Sequence, residues 1–281
     1  MKKALVLLVV GTVLAGACAF AASGKPPMET KLWRLDCGTT YIPDLNLFSD
    51  TRAYTGKGMG LVASCYVIKH GDSYMIWDTG LSASFKGLKI DPKTGGATIT
   101  KTVVEQLAEI GVKPEQITTI GISHYHYDHT GQAASFPGAT LMIGKGDFDA
   151  LSATPPNFGA DPTALKNWVG GPGKSVLVSG DKDIFGDGSV TMIDTPGHTP
   201  GHHSLLVKLG SGASYLLTGD LAHFRENYAS DGVPTFNTNR ADTLASFARF
   251  KGLAANIKAT VIIQHEPRDV AKLPAFPAAA E

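Results

Sequence analysis

The run Ser123-His124-Tyr125-His126-Tyr127-Asp128-His129-Thr130-Gly131 places three imidazoles and one carboxylate within six consecutive residues. His124 and His126 stand two apart, so in an extended loop their rings point to the same side. Asp128 and His129 follow at once and suit a second set of ligands beside the first. Imidazole together with carboxylate suits zinc and related first-row metals rather than calcium or magnesium. Further along, His198 lies in the turn Thr195-Pro196-Gly197-His198-Thr199-Pro200-Gly201-His202, where a histidine has no packing reason. Asp220 follows Gly219, a place where a plain turn residue would also serve. His265, in Gln264-His265-Glu266-Pro267, is weak on its own and gains weight only from the others.

The elements that must position these residues can be read from periodicity. Lys31 to Cys37 and Leu61 to His70 read as strands, and Gly38 to Gly60 between them as a long segment with Tyr41, Leu47, Phe48 and Tyr54. Its apolar content suggests a cover over a site rather than disorder. Gly71-Asp72 turns the chain into a strand at Ser73 to Trp77, ending in Asp78-Thr79-Gly80. Thr102 to Ile110 has helical spacing, with Thr102 and Glu105 as a capping box and Gly111 as a stop. Ile117 to Ile122 is a buried strand that delivers the histidine run. Ala139 to Ile143 reads as a strand, Lys145 to Ser152 as a short helix, and Ala153 to Lys174 as an irregular insertion.

In the second half Ser189 to Asp194 leads into the His198 turn. Ser204 to Leu209 and Ser214 to Thr218 form a hairpin ending at Asp220. Asn239 to Ala255 is a helix with Leu244, Phe247, Phe250 and Leu253 facing inward. Ala259 to Ile263 is a last strand, delivering His265, and the Pro/Ala-rich tail after Ala271 reads as peripheral. Each suspected ligand thus falls just after a strand. The expected architecture is α+β: two β-rich halves covered by helices, a four-layer αβ/βα sandwich.

Bulk composition narrows the surroundings. Lys2 and Lys3 precede the apolar stretch Ala4 to Ala15, and Ala19-Phe20-Ala21 resembles a cleavage site, so residues 1–21 read as a secretory signal. An uncleaved anchor, or lipid attachment at Cys18 within Ala15-Gly16-Ala17-Cys18, is the alternative. Residues 22–281 then form one domain, periplasmic or secreted, with no membrane contact once the signal is removed. A formal net charge of +0 without basic runs gives no reason to expect nucleic acid. Cys37 and Cys65 remain after signal removal and are open to either reading, a disulfide or two buried thiols. The sequence leaves the oligomeric state open.

Taken together, His124/His126/Asp128/His129, His198, Asp220 and His265 resemble the metallo-β-lactamase superfamily, over nearly all of residues 22–281. The resemblance implies the sandwich fold with a site at one sheet edge and two divalent metal ions, zinc foremost. His124, His126 and His198 would hold the first ion, Asp128, His129 and His265 the second, and Asp220 would bridge them. Asp78 resembles a carboxylate that orients a ligand imidazole, although a strand-end turn explains it as well. His202 and His203 match no ligand position. The chemistry implied is hydrolysis by a hydroxide between the metals, with Asp128 handling the proton.

The bridging Asp220 argues against a β-lactamase, and no helical substrate domain remains for a glyoxalase II-like thioesterase. The Gly38 to Gly60 segment and Asp220-Leu221-Ala222-His223-Phe224-Arg225-Glu226-Asn227 look like N-acyl-homoserine lactonases, whose substrate is a small quorum-sensing lactone. One departure stands out: those lactonases carry a tyrosine three residues after the bridging Asp, and this chain has His223, an imidazole that can donate the same hydrogen bond. Alternatives are another lactone, ester or organophosphate hydrolase, or a non-catalytic zinc-binding protein, which would need neither Asp220 nor an apolar cover. Leu47, Phe48, Met59 and Phe224 are candidates by location to line an acyl pocket, with a core role an equal alternative for each.

Overall fold

The computed structural model describes residues 28–281. The expected secretory signal and Cys18 lie outside the described residues. Strand β1 (Thr30–Ile42) pairs antiparallel with β2 (Met59–His70), which pairs with β3 (Ser73–Trp77). β2 is buried on both faces, which explains its near-continuous apolar run. The sheet is completed by β4 (Gly96–Thr98), β5 (Ile117–Ile122), β6 (Thr140–Gly144) and β7 (Ser175–Val178), in the order β4-β1-β2-β3-β5-β6-β7. A second sheet has the order β12-β11-β10-β9-β8, built from β8 (Lys182–Asp183), β9 (Val190–Asp194), β10 (His203–Lys208), β11 (Ser214–Leu217) and β12 (Thr260–Ile262).

Three apolar layers hold these sheets and their helices together. Tyr66, Ile68, Met75 and Trp77 of the first sheet meet Met192, Leu205, Val207 and Leu217 of the second. The outer face of the first sheet buries Val67, Ile76, Ile120 and Leu141 against Val103 and Leu107 of α1 (Val103–Glu109) and Ala150 and Leu151 of α3 (Lys145–Ser152). The outer face of the second sheet places Leu206 and Leu216 against Phe247 and Phe250 of α5 (Arg240–Asn256). The result is the expected αβ/βα sandwich. Of two short helices, α2 (Tyr127–Thr130) carries Asp128 and His129, and α4 (Arg225–Ala229) starts two residues after His223.

Local chemistry accounts for the boundaries. The expected capping box starts α1: Thr102 Oγ1 accepts from the Glu105 N–H, and Glu105 returns the bond to the Thr102 N–H. Asn239 caps α5 by accepting from the Ala241 and Asp242 N–H groups. Along α5, Phe247 and Phe250 are buried, whereas Leu244 and Leu253 are only half-buried and Thr243, Ser246 and Ala254 share the inner face.

Two expectations need correction, and the open question of the two cysteines is answered. β1 runs on through Ile42, because Thr39 to Ile42 pair with Met59 to Val62. The cover is therefore shorter than the segment 38–60, and is a 3-10 turn at Leu45–Phe48 followed by turns. The tail is anchored rather than peripheral: Ala280 exchanges two backbone hydrogen bonds with Leu32, and Leu273 and Ala280 are buried. Cys37 and Cys65, on neighbouring strands, are joined as a disulfide with Cα atoms 5.8 Å apart.

Candidate metal centre and its cavity

Strands β5, β9, β11 and β12 all end at one edge of the sandwich, and the loops that leave them carry His124 to His129, His198, Asp220 and His265. These seven side chains converge into two sets. His124, His126, His198 and Asp220 form one, and Asp128, His129 and His265 the other. Asp220 lies between them. Its Oδ2 faces the first set, 3.4 Å from His198 Nε2 and 3.7 Å from His124 Nε2. Its Oδ1 faces the second, 3.2 Å from His129 Nε2 and 2.9 Å from His265 Nε2. Asp128 completes that set at 3.7 Å from His265 Nε2.

The outward nitrogen of most rings is tied down, which fixes what the inward nitrogen offers. His129 Nδ1–H donates to Asp78 Oδ2 (2.8 Å), and His265 Nδ1–H donates to the Val62 carbonyl (2.8 Å). His124 Nδ1–H donates to Ser123 Oγ (3.1 Å), whose own hydroxyl donates to Asp78 Oδ2 (2.8 Å). One buried carboxylate thus orients two rings and aims their Nε2 atoms at the centre. Asp78 is therefore an orienting residue and not merely a turn residue, though its φ of 57° also serves the turn.

A cation fits this donor set. His124 Nε2 and His198 Nε2 lie 2.9 and 3.1 Å from His126 Nδ1, so three ring nitrogens converge on one another. His129 Nε2 and Asp220 Oδ1 are buried without a hydrogen-bond partner among the described residues. Burial holds His124 and His198 well below the usual imidazole range and lowers His126 to about 4, so all three are neutral near pH 7, as ligation requires. Burial works against charge on His129 and His265 too, yet the surrounding carboxylates, Asp220 foremost, together outweigh it and raise both, so positive charge is favoured at the second set. Burial likewise disfavours the Asp220 carboxylate, but His265 and His129 overcome it and hold that group well below the usual carboxylate range.

The two histidines without a ligand position are buried, not surface residues. His202 Nδ1–H donates to the Thr195 carbonyl, and its Nε2 accepts from the Asp220 N–H at 2.9 Å. The bridging carboxylate therefore has its backbone held by a ring that burial keeps neutral, at about 3. His203 lies between the carbonyls of Gly201 and Gly180. His223 is buried too, and its Nε2 stands 3.1 Å from Asp220 Oδ2.

These groups floor a cavity of about 490 Å³. His126, Asp128, Asp220, His223 and His265 form the polar floor, and Ile42, Leu47, Phe48, Leu61, Phe158 and Phe236 the apolar walls. Of the four acyl-pocket candidates, Leu47 and Phe48 line this cavity. Phe224 and Met59 do not: they line a neighbouring hollow of about 590 Å³ with Tyr54 and Lys57. Adjacent side chains in an extended stretch face opposite ways, so His223 turns to the floor while Phe224 packs behind the cover. Sequence reading missed Phe236 and Phe158, which come from irregular segments without periodicity. Phe236 packs edge-on against His126 and His198, with ring centroids 6.2 and 5.7 Å apart.

Residues 58–265 match the family profile described as Metallo-beta-lactamase superfamily. The chain belongs to the metallo-β-lactamase superfamily. As a lactonase-like member of it, the chain is a metal-dependent hydrolase. It is 30% identical over 254 residues to N-acyl homoserine lactonase AttM of Rhizobium johnstonii, an alignment covering 85% of this chain and 94% of that relative. AttM of Rhizobium radiobacter is 33% identical over 169 residues, 58% of this chain, and the match spans just under two thirds (64%) of that relative. Among solved structures, a quorum-quenching N-acyl homoserine lactone hydrolase superposes with a TM-score of 0.77 at 23% identity, over 90% of this chain and 100% of that one. AidC, a dizinc quorum-quenching lactonase, does so with 0.64 at 19% identity, over 91% of each. At that identity these neighbours speak to the fold.

Proposed function

We propose that the protein opens the lactone ring of N-acyl-homoserine lactones, as an exported quorum-quenching enzyme that uses two divalent metal ions, zinc foremost. The observation that carries this reading is the meeting of a complete seven-residue ligand set, bridged by Asp220, with a deep apolar-walled cavity. The names of the curated relatives point the same way. His124, His126 and His198 would hold one ion, Asp128, His129 and His265 the other, and Asp220 would contribute one oxygen to each. Such ions supply Lewis acidity and a hydroxide nucleophile near neutral pH.

The protein's own groups then orient and move protons. Ile42, Leu47, Phe48 and Phe236 would take the acyl chain and exclude water from the ring carbonyl. His223 presents Nε2 to the same floor, where an imidazole N–H can donate to the carbonyl oxygen or to the departing alkoxide. It would replace the tyrosine found there in the lactonases this chain resembles. Asp128, at the cavity edge, would carry the proton toward the leaving group.

Export rests on two supports: the apolar amino-terminal stretch of the sequence, and the Cys37–Cys65 disulfide, which suits an oxidising compartment. Among the described residues no helix is long and apolar enough to cross a membrane. The test is a panel of acyl-homoserine lactones, thioesters, β-lactams and phosphotriesters on the metal-loaded protein. The reading expects the highest kcat/KM on the lactones. A preference for phosphotriesters would assign the organophosphate hydrolase instead, and metal binding without turnover would assign a zinc-binding protein.

A further inference from the structure

Asp147 has no part in the chemistry above, yet it is a completely buried carboxylate. It sits in the first turn of α3, against the loop that carries His198. Its Oδ1 accepts from the Gly201 N–H at 2.6 Å, and its Oδ2 accepts from the Thr199 hydroxyl at 2.8 Å. The same Oδ2 accepts from the N–H of Tyr125 at 3.2 Å. Tyr125 lies between His124 and His126, and Thr199 follows His198. One carboxylate therefore joins the two loops that supply the first ligand set.

Packing closes the joint from another side. A side chain on Gly144 would run into the Gly201 carbonyl, and a Cβ on Gly146 would stand 2.8 Å from the Pro200 oxygen. The helix start is thus pressed onto the Pro200-Gly201 turn so tightly that only glycine fits at both places. Further down, the His203 N–H donates to the Ser123 carbonyl, which tethers the loops but leaves their tips to Asp147. The second ligand set is anchored elsewhere. His129 is held by Asp78 and by the Thr79 N–H, which donates to its carbonyl, while His265 is held by Val62.

We propose that Asp147 is a positioning residue that clasps the His124/His126 loop to the His198 loop and so sets the spacing of the first metal site without touching it. The inference rests on the two-metal reading and adds to it a division of labour: breaking the clasp should weaken one site and spare the other. Removing an outer partner of a metal site typically costs about 10- to 100-fold in affinity. Here the loss should be confined to the set that contains His198.

The test is a Co²⁺ titration of metal-free protein followed by absorption, with His198→Ala marking which event belongs to the first set. In Asp147→Asn that event should weaken about tenfold or more, and the other by less than about twofold. Gly146→Ala keeps the carboxylate but pushes on Pro200, and Thr199→Val removes one of the three bonds. Both should weaken the same event by smaller factors, and they carry the test if Asp147→Asn does not fold. Equal weakening of both events, or a lower melting temperature with an unchanged titration, would overturn the proposal. Wild-type protein that takes up no Co²⁺ would overturn the metal reading beneath it and the clasp with it.

Discussion

His129, packed behind the cavity floor against Asp220, and Phe158, on the cavity wall, are held in opposite ways. His129 is completely buried, with its ring fixed by Asp78 and its carbonyl by the Thr79 N–H. Phe158 is 86% exposed, and its backbone carbonyl accepts a single 3.3 Å bond from the Tyr125 hydroxyl. The contrast extends to their neighbours. On the floor, Ser123, Asp78 and Val62 give His124, His129 and His265 directional partners, so these rings are set before a substrate arrives. On the walls, Phe48 and Phe236 meet edge-on while Leu47 and Phe158 stand exposed, and apolar contact has no preferred direction. The floor therefore defines the reaction, and the walls define what reaches it. Substitutions on the floor should cost turnover, and those on the walls should mainly change KM.

The largest effect should come from Asp220→Ala, which removes an oxygen from each ligand set at once. Lactone kcat/KM should drop by well over about 100-fold, beyond the upper end for an outer residue, with bound metal below that of wild type. His223→Ala comes next: kcat should fall on the order of 100-fold, the lower end for a lost general acid, with metal content unchanged. Full turnover in that variant, with metal retained, would remove His223 from the mechanism. Asp78→Asn should cost roughly 10- to 100-fold in metal affinity, because it unsettles both His129 and, through Ser123, His124. On the walls, Phe158→Ala should raise KM for long acyl chains about fivefold and leave kcat nearly unchanged, as part of one ring contributes about 1 kcal/mol. A kcat loss of equal size there would dissolve the distinction between floor and walls.

The same division governs how much could be read from the sequence. The ligand run His124 to His129 and the strands before it are local features, and β3, β5 and α3 match their expected bounds residue for residue. Partners of the ligands were harder to see. His202 lies next to the His198 turn, yet its role depends on a backbone N–H eighteen positions later, which no spacing rule supplies. Asp147 follows an unremarkable strand, and its three donors come from two loops brought together only by the sandwich. The short strands β4, β7 and β8, which hold edge or near-edge places, carried no pattern of their own because few of their residues are buried. The position of Phe224 beside His223 leaves pocket and core equally open, and strand-like alternation sends it to the core side.

The central claim is that this floor is a two-metal hydrolytic centre working on a lactone beneath an apolar cover. It is tested most directly by proton release from an N-acyl-homoserine lactone, measured on the isolated protein before chelation, after chelation, and after zinc is returned. The account predicts ring opening that disappears with the metal and recovers in proportion to zinc restored, up to two equivalents. Two equivalents of zinc bound with no ring opening, or ring opening that survives removal of all metal, would contradict it.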